Sequence, residues 1–276
     1  MEDHFTPRSN PDGSYETLLV DHKEGVDWLT LNRPESLNSM SRTMMLELQH
    51  YFGALYVNQS VRVVVLQGAG RGFCAGLDLK EDRADEGMGP VTGMRVQRRV
   101  SEIMMRMRRA PQPIISLING PASGGGFGLT LASDIRIATP EARMNAAFIR
   151  IGLTACDVGV SYFLPRLVGS SVASELMLTG NFIDAERALA VGLISKIVSK
   201  DELQDAGSQM AADILRNSPL GVRLTKDCLN FSVDANSLES VIAMEDRQQI
   251  LVAQTGDMKE GVRAFMEKRP ASYLDE

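Results

Sequence analysis

The sequence is poor in residues that support several common chemistries. Its 276 residues include three histidines, one tryptophan and only 5% aromatic residues. The three cysteines, Cys74, Cys156 and Cys228, are far apart, with no CxxC spacing and no clustered histidines. This pattern excludes a disulfide framework and a zinc module of the usual spacing. It predicts a reducing, cytoplasmic environment and no bound metal.

Basic residues are also few. There are 29 lysines and arginines against 35 acidic residues, which gives a formal charge of −6 and a pI of about 5.3. Proteins that bind nucleic acids or anionic membranes broadly present a basic face, so the balance argues against both partners.

Long apolar segments are missing as well. The longest run without charge, 110–133, contains five glycines and three prolines, so no membrane span is expected. The acidic, polar N-terminus lacks the basic and apolar blocks of a signal peptide. We expect residues 1–13 to be flexible.

Hydrophobic periodicity predicts an α/β core over 14–200, followed by a helical region over 201–276. Apolar or alternating segments predict strands within 15–32 and at 61–68, 113–120, 134–139 and 194–199. Helical spacing predicts helices at 41–53, 92–109, 201–217, 219–232, 237–254 and 257–267. Ser41 is a predicted helix cap, and 82–92 has the composition of a loop.

Two glycine-rich turns could carry chemistry. The segments 72–79 (GFCAGLDL) and 119–129 (NGPASGGGFGL) each place glycines after a buried strand and before a helix. Glycine lets backbone N–H groups point at a ligand, and a helix N-terminus adds partial positive charge. Two such N–H groups converging on one oxygen would form an oxyanion hole. Taken alone, either segment is better explained as a tight strand-to-helix turn, since glycine-rich turns are common.

Together with other motifs, these turns give the chain a resemblance to the crotonase family, also called enoyl-CoA hydratase/isomerase. The resemblance covers roughly 15–270. The motifs, in chain order, are LTLNRPESLNSM (29–40), GFCAGLDLK (72–80), INGPASGGGFGL (118–129), SDIRIAT (133–139), IDAERALAVGLISKIV (183–198) and GVRAFMEKR (261–269).

The resemblance implies a spiral core of ββα units, with C-terminal helices that assemble a homotrimer or a dimer of trimers. It implies an acyl-CoA thioester substrate from fatty-acid-type metabolism, with coenzyme A as part of the substrate and no further cofactor. The family's oxyanion hole corresponds to the backbone N–H groups of Leu77 and Gly125.

The same resemblance assigns coenzyme A contacts to Lys80, Lys268, Ser36 and Ala75. Local cations are needed because the ligand is a polyanion and the protein is net acidic. Where the family often has a basic residue after Arg-Pro, this chain has Glu35, which weakens that contact.

The acid–base positions depart from the family's hydratases, which hold a water between two glutamates. The corresponding residues here are Gly128 and Phe148, and neither can transfer a proton. Asp157, in a segment similar to the dienoyl-CoA isomerase and dehalogenase branches, is the remaining carboxylate. We expect it to act as a single general base in double-bond isomerisation. From spacing alone it could instead cap the following helix.

Two alternatives stay open. The chain could hydrate enoyl-CoA with an unusual acid–base set. It could also be a non-catalytic acyl-CoA-binding protein that kept the fold and lost both glutamates.

Overall fold

The computed structural model describes residues 9–10, 13–82 and 89–276. Most of the predicted N-terminal tail over 1–13, and most of the predicted loop over 82–92, lie outside the described residues. The end of that loop prediction was wrong, because a helix already begins at Pro90. Proline is favoured in the first helical turn, where its missing N–H costs nothing.

Strands and helices alternate through the first two thirds of the chain. The strands are β1 (Leu18–Lys23), β2 (Val26–Leu31), β3 (Val63–Gly68), β4 (Ile114–Ile118), β5 (Pro121–Ser123), β6 (Ile135–Ala138), β7 (Arg143–Asn145), β8 (Ile183–Asp184) and β9 (Lys196–Ile197). The helices are α1 (Arg42–Ala54), α2 (Leu79–Asp82), α3 (Pro90–Arg109), α4 (Gly125–Ala132), α5 (Val160–Thr179), α6 (Ala185–Ala190), α7 (Leu203–Leu215), α8 (Pro219–Ser232), α9 (Leu238–Ala253) and α10 (Gly256–Glu267).

The main sheet has the order β1-β2-β3-β4-β6-β9. Its first pair is antiparallel and the remaining pairs are parallel. Ser41 caps α1 as predicted, since its side chain accepts from the N–H of Met44 at 3.1 Å. The second sheet, β5-β7-β8, was not predicted. Its strands of two or three residues are too short to show periodicity.

The inner strand β3 is apolar on both faces because helices cover both. Val64 and Leu66 of β3 belong to the larger core cluster, which includes residues of α1, α3, α4 and α5. Val63 and Val65 point the other way and pack in a smaller cluster with residues of α7. This alternation of side chains is the period of two that a strand imposes.

After β9 the described chain is helical. The helix α7 is part of the core, whereas α9, described throughout, buries none of its residues. Apolar side chains such as Phe265 and Met266 of α10 are exposed in the single chain. Assembly into a trimer or hexamer stays a prediction. Within the described ranges, no helix is long and apolar enough to cross a membrane.

A buried ion pair joins α8 to the α/β core. Lys226 is 5% exposed, and its Nζ lies 2.8 Å from Asp134 Oδ2 and 2.8 Å from the carbonyl oxygen of Gln112. Desolvation lowers the pKa of Lys226, and Asp134 opposes that shift. Asp134 also accepts from the N–H of Ile114 at 2.8 Å. Breaking such a pair leaves a buried charge with too few partners.

We expect Lys226→Met to lower the free energy of unfolding by about 3 kcal/mol. Urea denaturation at one fixed protein concentration would measure this, with the exposed Lys259→Met as the control. Equal stability of the two variants would contradict a structural role for the pair.

Candidate active site

A cavity of about 300 Å³ lies where the turn before α2, helix α3, the start of α4 and the loop before α5 meet. It brings together Ala75, Leu77, Gly125, Phe148 and Asp157. A larger groove of about 1090 Å³ lies between α3, α5 and α8 and shares Val158 with the cavity. None of the predicted catalytic residues lines that groove.

A backbone hydrogen bond joins the two glycine-rich turns: the N–H of Ser123 donates to the carbonyl of Cys74 at 2.9 Å. The first turn is also bound to the segment before α1, where the N–H of Met40 donates to the carbonyl of Gly76 at 2.7 Å. Gly76 has φ +95°, and a Cβ atom there would lie 2.7 Å from the oxygen of Ser123 and 3.3 Å from the nitrogen of Gly125. Only glycine therefore allows this approach.

Leu77 and Gly125, whose backbone N–H groups form the predicted oxyanion hole, both border the cavity. Among the described residues, neither N–H has a hydrogen-bond acceptor, whereas those of Asp78 and Gly124 donate to the carbonyls of Met40 and Asn145. Gly125 is the first residue of α4, where the helix dipole adds partial positive charge. The arrangement can bind a carbonyl oxygen that gains negative charge.

Asp157 lies in the loop before α5 and is half-buried. Its Oδ1 accepts from the N–H of Val158 at 2.7 Å and from the side-chain amide of Gln97. Burial raises the pKa of Asp157, and those two hydrogen bonds oppose the rise. A carboxylate with a raised pKa is a stronger base than an ordinary aspartate.

The alternative role of Asp157 as a helix cap is wrong. Helix α5 begins at Val160, its N-cap is Gly159, and no side chain caps it. The Asp157 side chain bonds to the N–H of Val158, outside the helix. Gly159 occupies the cap in the left-handed conformation at φ +85°, so the helix start does not need the carboxylate.

Two further carboxylates, which the sequence did not single out, border the cavity. Asp78 Oδ2 accepts from Arg33 at 2.9 Å and from Ser39 at 3.1 Å. Burial acts to raise the pKa of Asp78, but the hydrogen bonds from Arg33, Ser39 and the N–H of Lys80 bring it below the ordinary value. Glu81 accepts from the N–H of Arg42 at 2.8 Å. Arg33 and Asp78 are 45 residues apart in the chain, so no local sequence pattern indicates their contact.

Hydrocarbon fills the surroundings of the two positions where hydratases have glutamates. Gly128 lies inside α4, and a Cβ atom there would lie 2.6 Å from Val158 Cγ2 and 3.0 Å from Met104 Cε. The ring of Phe148 lies beside Gly124, where a Cβ atom would be 3.4 Å from its Cε1.

The predicted coenzyme A contacts divide into two groups. Ala75 lines the cavity, and its N–H donates to the carbonyl of Leu37 at 2.9 Å. Ser36, Lys80 and Lys268 do not line it. The Ser36 hydroxyl donates to the carbonyl of Arg33 at 3.1 Å. Lys268 is the C-cap residue that follows α10, in a left-handed conformation at φ 53°. Their contacts with coenzyme A stay predictions.

Among the described residues, no three His, Cys, Asp or Glu side chains form a group that could hold a metal ion. The polar groups of the described residues that line the cavity include the side chains of Arg42, Asp78, Glu81, Gln97 and Asp157.

Comparisons with known proteins identify the family of the chain. Residues 21–276 match the model of the enoyl-CoA hydratase/isomerase family. A Mycobacterium leprae protein named probable enoyl-CoA hydratase is 42% identical over 255 residues, covering 91% of this chain and 87% of its own. The 1,2-epoxyphenylacetyl-CoA isomerase of Escherichia coli is 37% identical over 259 residues, covering 94% of this chain and 98% of its own.

Solved structures of enoyl-CoA hydratases have the same fold. The crystal structure of an enoyl-CoA hydratase from Bacillus anthracis superposes with a TM-score of 0.89 at 35% identity, covering 95% of this chain and all of the other. This agreement confirms the predicted crotonase fold. The motifs, the paired turns and the matches over nearly the full length lead to one conclusion: the chain belongs to the enoyl-CoA hydratase/isomerase family.

Proposed function

We propose that the chain isomerises a double bond in an acyl-CoA thioester, with Asp157 as its single base. The observation that carries the proposal is the cavity itself. One carboxylate with a raised pKa borders the same space as the N–H groups of Leu77 and Gly125, which have no acceptor among the described residues. Thioester enolate chemistry requires these two features together.

In the proposed reaction, the thioester carbonyl oxygen accepts hydrogen bonds from Leu77 and Gly125. Negative charge that develops on this oxygen is then stabilised as a proton leaves the substrate carbon. The ionised Asp157 carboxylate takes that proton and returns it to a different carbon. The double bond therefore moves, and product and substrate have the same atoms. The step uses no cofactor beyond the coenzyme A of the substrate.

Hydration of an enoyl-CoA is the first alternative, and the name of the Mycobacterium leprae relative favours it. Hydration needs groups that position a water molecule and transfer its protons. Gly128 and Phe148 offer none, and Asp78 is held by Arg33 with a lowered pKa. The remaining pair, Asp157 and Glu81, would have to share the task. A single-base isomerisation needs fewer assumptions.

A non-catalytic acyl-CoA-binding protein is the second alternative. The loss of both hydratase glutamates favours it. The retained carboxylate beside two N–H groups with no acceptor argues against it, because a binder has no need of a base with a raised pKa.

Asp157→Asn tests the proposal. We would incubate the protein in deuterated water with 2-enoyl-, 3-enoyl-, 2,4-dienoyl- and saturated acyl-CoA esters and follow deuterium uptake and products by mass spectrometry. The wild type should exchange a proton and shift a double bond. The variant should lose about a thousandfold in rate and still bind the esters in calorimetry.

The products separate the alternatives. A 3-hydroxyacyl-CoA product from the wild type would identify a hydratase. Tight ester binding with no deuterium uptake would identify a binding protein. Full exchange by Asp157→Asn would show that another group is the base.

Gly76→Ala tests the oxyanion hole, since a backbone N–H cannot itself be replaced. The new Cβ would collide with the oxygen of Ser123 and move the Leu77 turn away from Gly125. We expect deuterium exchange to fall by about a hundredfold or more. Gly93→Ala is the matched control, because Gly93 borders the same cavity and a Cβ there meets nothing within 4 Å. Equal activity of both variants would argue against this oxyanion hole.

Gly128→Glu places a glutamate at one of the two positions where hydratases have one. We expect no gain of hydration, because the side chain would have to displace Val158 and Met104. Overpacking should lower the free energy of unfolding by about 2 kcal/mol. Urea denaturation and the loss of 2-enoyl-CoA absorbance measure the two effects. A variant that hydrates well at wild-type stability would contradict this account of the missing glutamate.

A further inference from the structure

We propose that Gln97 is a positioning residue that holds the Asp157 carboxylate and leaves Oδ2 as the atom that accepts the substrate proton. The inference rests on the proposed function, in which Asp157 is the base. It adds a residue to the site that neither the motifs nor the family resemblance indicated.

Both hydrogen bonds to the Asp157 side chain reach the same oxygen. The Val158 N–H and the Gln97 amide each donate to Oδ1. Among the described residues Oδ2 has no donor, and Asp157 borders the cavity. A carboxylate held by one oxygen presents the other, with its lone pairs uncommitted, as the better proton acceptor.

The two donors differ in origin. Val158 is the next residue along the chain, and its N–H is set by a strained turn in which Val158 has φ +41° and Gly159 has φ +85°. A left-handed conformation is rare for a β-branched residue, and such strain is often found at functional sites. The Val158 side chain packs beside Gly128. The turn therefore fixes the backbone of Asp157.

Gln97 comes from helix α3, 60 residues earlier in the chain. The other residues by which α3 borders the cavity are Gly93, Val96 and Val100, and none of their side chains can donate a hydrogen bond. Gln97 is thus the side chain on this face of α3 that can stop the carboxylate from rotating. Gln97 is exposed, so burial does not account for its contact with Asp157.

The hydrogen bond also affects basicity. A donor stabilises the ionised carboxylate, so the loss of Gln97 should raise the pKa of Asp157 further. The other titratable groups of the described residues that border the cavity are Arg42, Asp78 and Glu81. Arg33 holds Asp78, and the Arg42 N–H binds Glu81. A shift on replacing Gln97 would therefore report on Asp157.

The experiment compares Gln97→Met with Gln97→Glu, and uses Arg98→Gln as the control. Arg98 is the next residue on α3 and is exposed. Deuterium exchange by an acyl-CoA ester that the wild type turns over gives kcat and KM across pH. For Gln97→Met we expect kcat to fall about tenfold with KM nearly unchanged. The rise of activity with pH should move to higher pH, because the base must be ionised.

Gln97→Glu should move the profile further, since a second carboxylate opposes ionisation of Asp157. Arg98→Gln should match the wild type. Unchanged kcat and pH profile in Gln97→Met would overturn the inference. So would a loss of kcat with no movement of the profile, which would indicate a purely structural role. Circular dichroism confirms that each variant is folded.

The Asp157→Asn variant separates this inference from the proposed function. If Asp157→Asn exchanges protons as fast as the wild type, both fail, because Asp157 is not the base. If Asp157→Asn is inactive while Gln97→Met behaves as the wild type does, only the role of Gln97 fails.

Discussion

The close approach of two backbone segments is the constraint on which the rest of the site depends. A Cβ atom at Gly126 would lie 2.1 Å from the carbonyl oxygen of Cys74, and one at Gly76 would lie 2.7 Å from that of Ser123. Neither position can hold a side chain, so the two turns meet backbone to backbone. This contact sets Leu77 and Gly125 beside one cavity.

The parallel sheet places both glycine-rich turns at the same edge. The chain leaves β3 and β4 at the same edge, since these neighbouring strands are parallel. The first glycine-rich turn follows β3, and the second follows β4 and leads into α4. Ligand sites of α/β proteins often form at the carboxyl ends of strands for this reason. Here the helix start adds its dipole to the N–H groups that a negatively charged oxygen would need.

The chemistry of the cavity is set by what surrounds each carboxylate. Asp78 is held by Arg33 and Ser39 and is a weak base, whereas burial makes Asp157 a stronger one. At the positions of two hydratase glutamates, the chain has Gly128 covered by Val158 and Met104, and the ring of Phe148 against Gly124. Under the proposed function, one base with a raised pKa moves a proton between carbons, a task that does not need the two carboxylates of a hydratase.

The sequence predicts the long strands and helices by their periodicity, and it predicts the fold and the family by the resemblance that its glycine-rich turns and other motifs carry. It also singled out Asp157. The tertiary structure was needed to show that Asp157 is not a helix cap, that Gln97 reaches it from 60 residues away, and that Val158 and Met104 fill the space beside Gly128. It also decided the second sheet, whose strands are too short for periodicity. These features arise where segments distant in the chain meet, and no local pattern records such contacts.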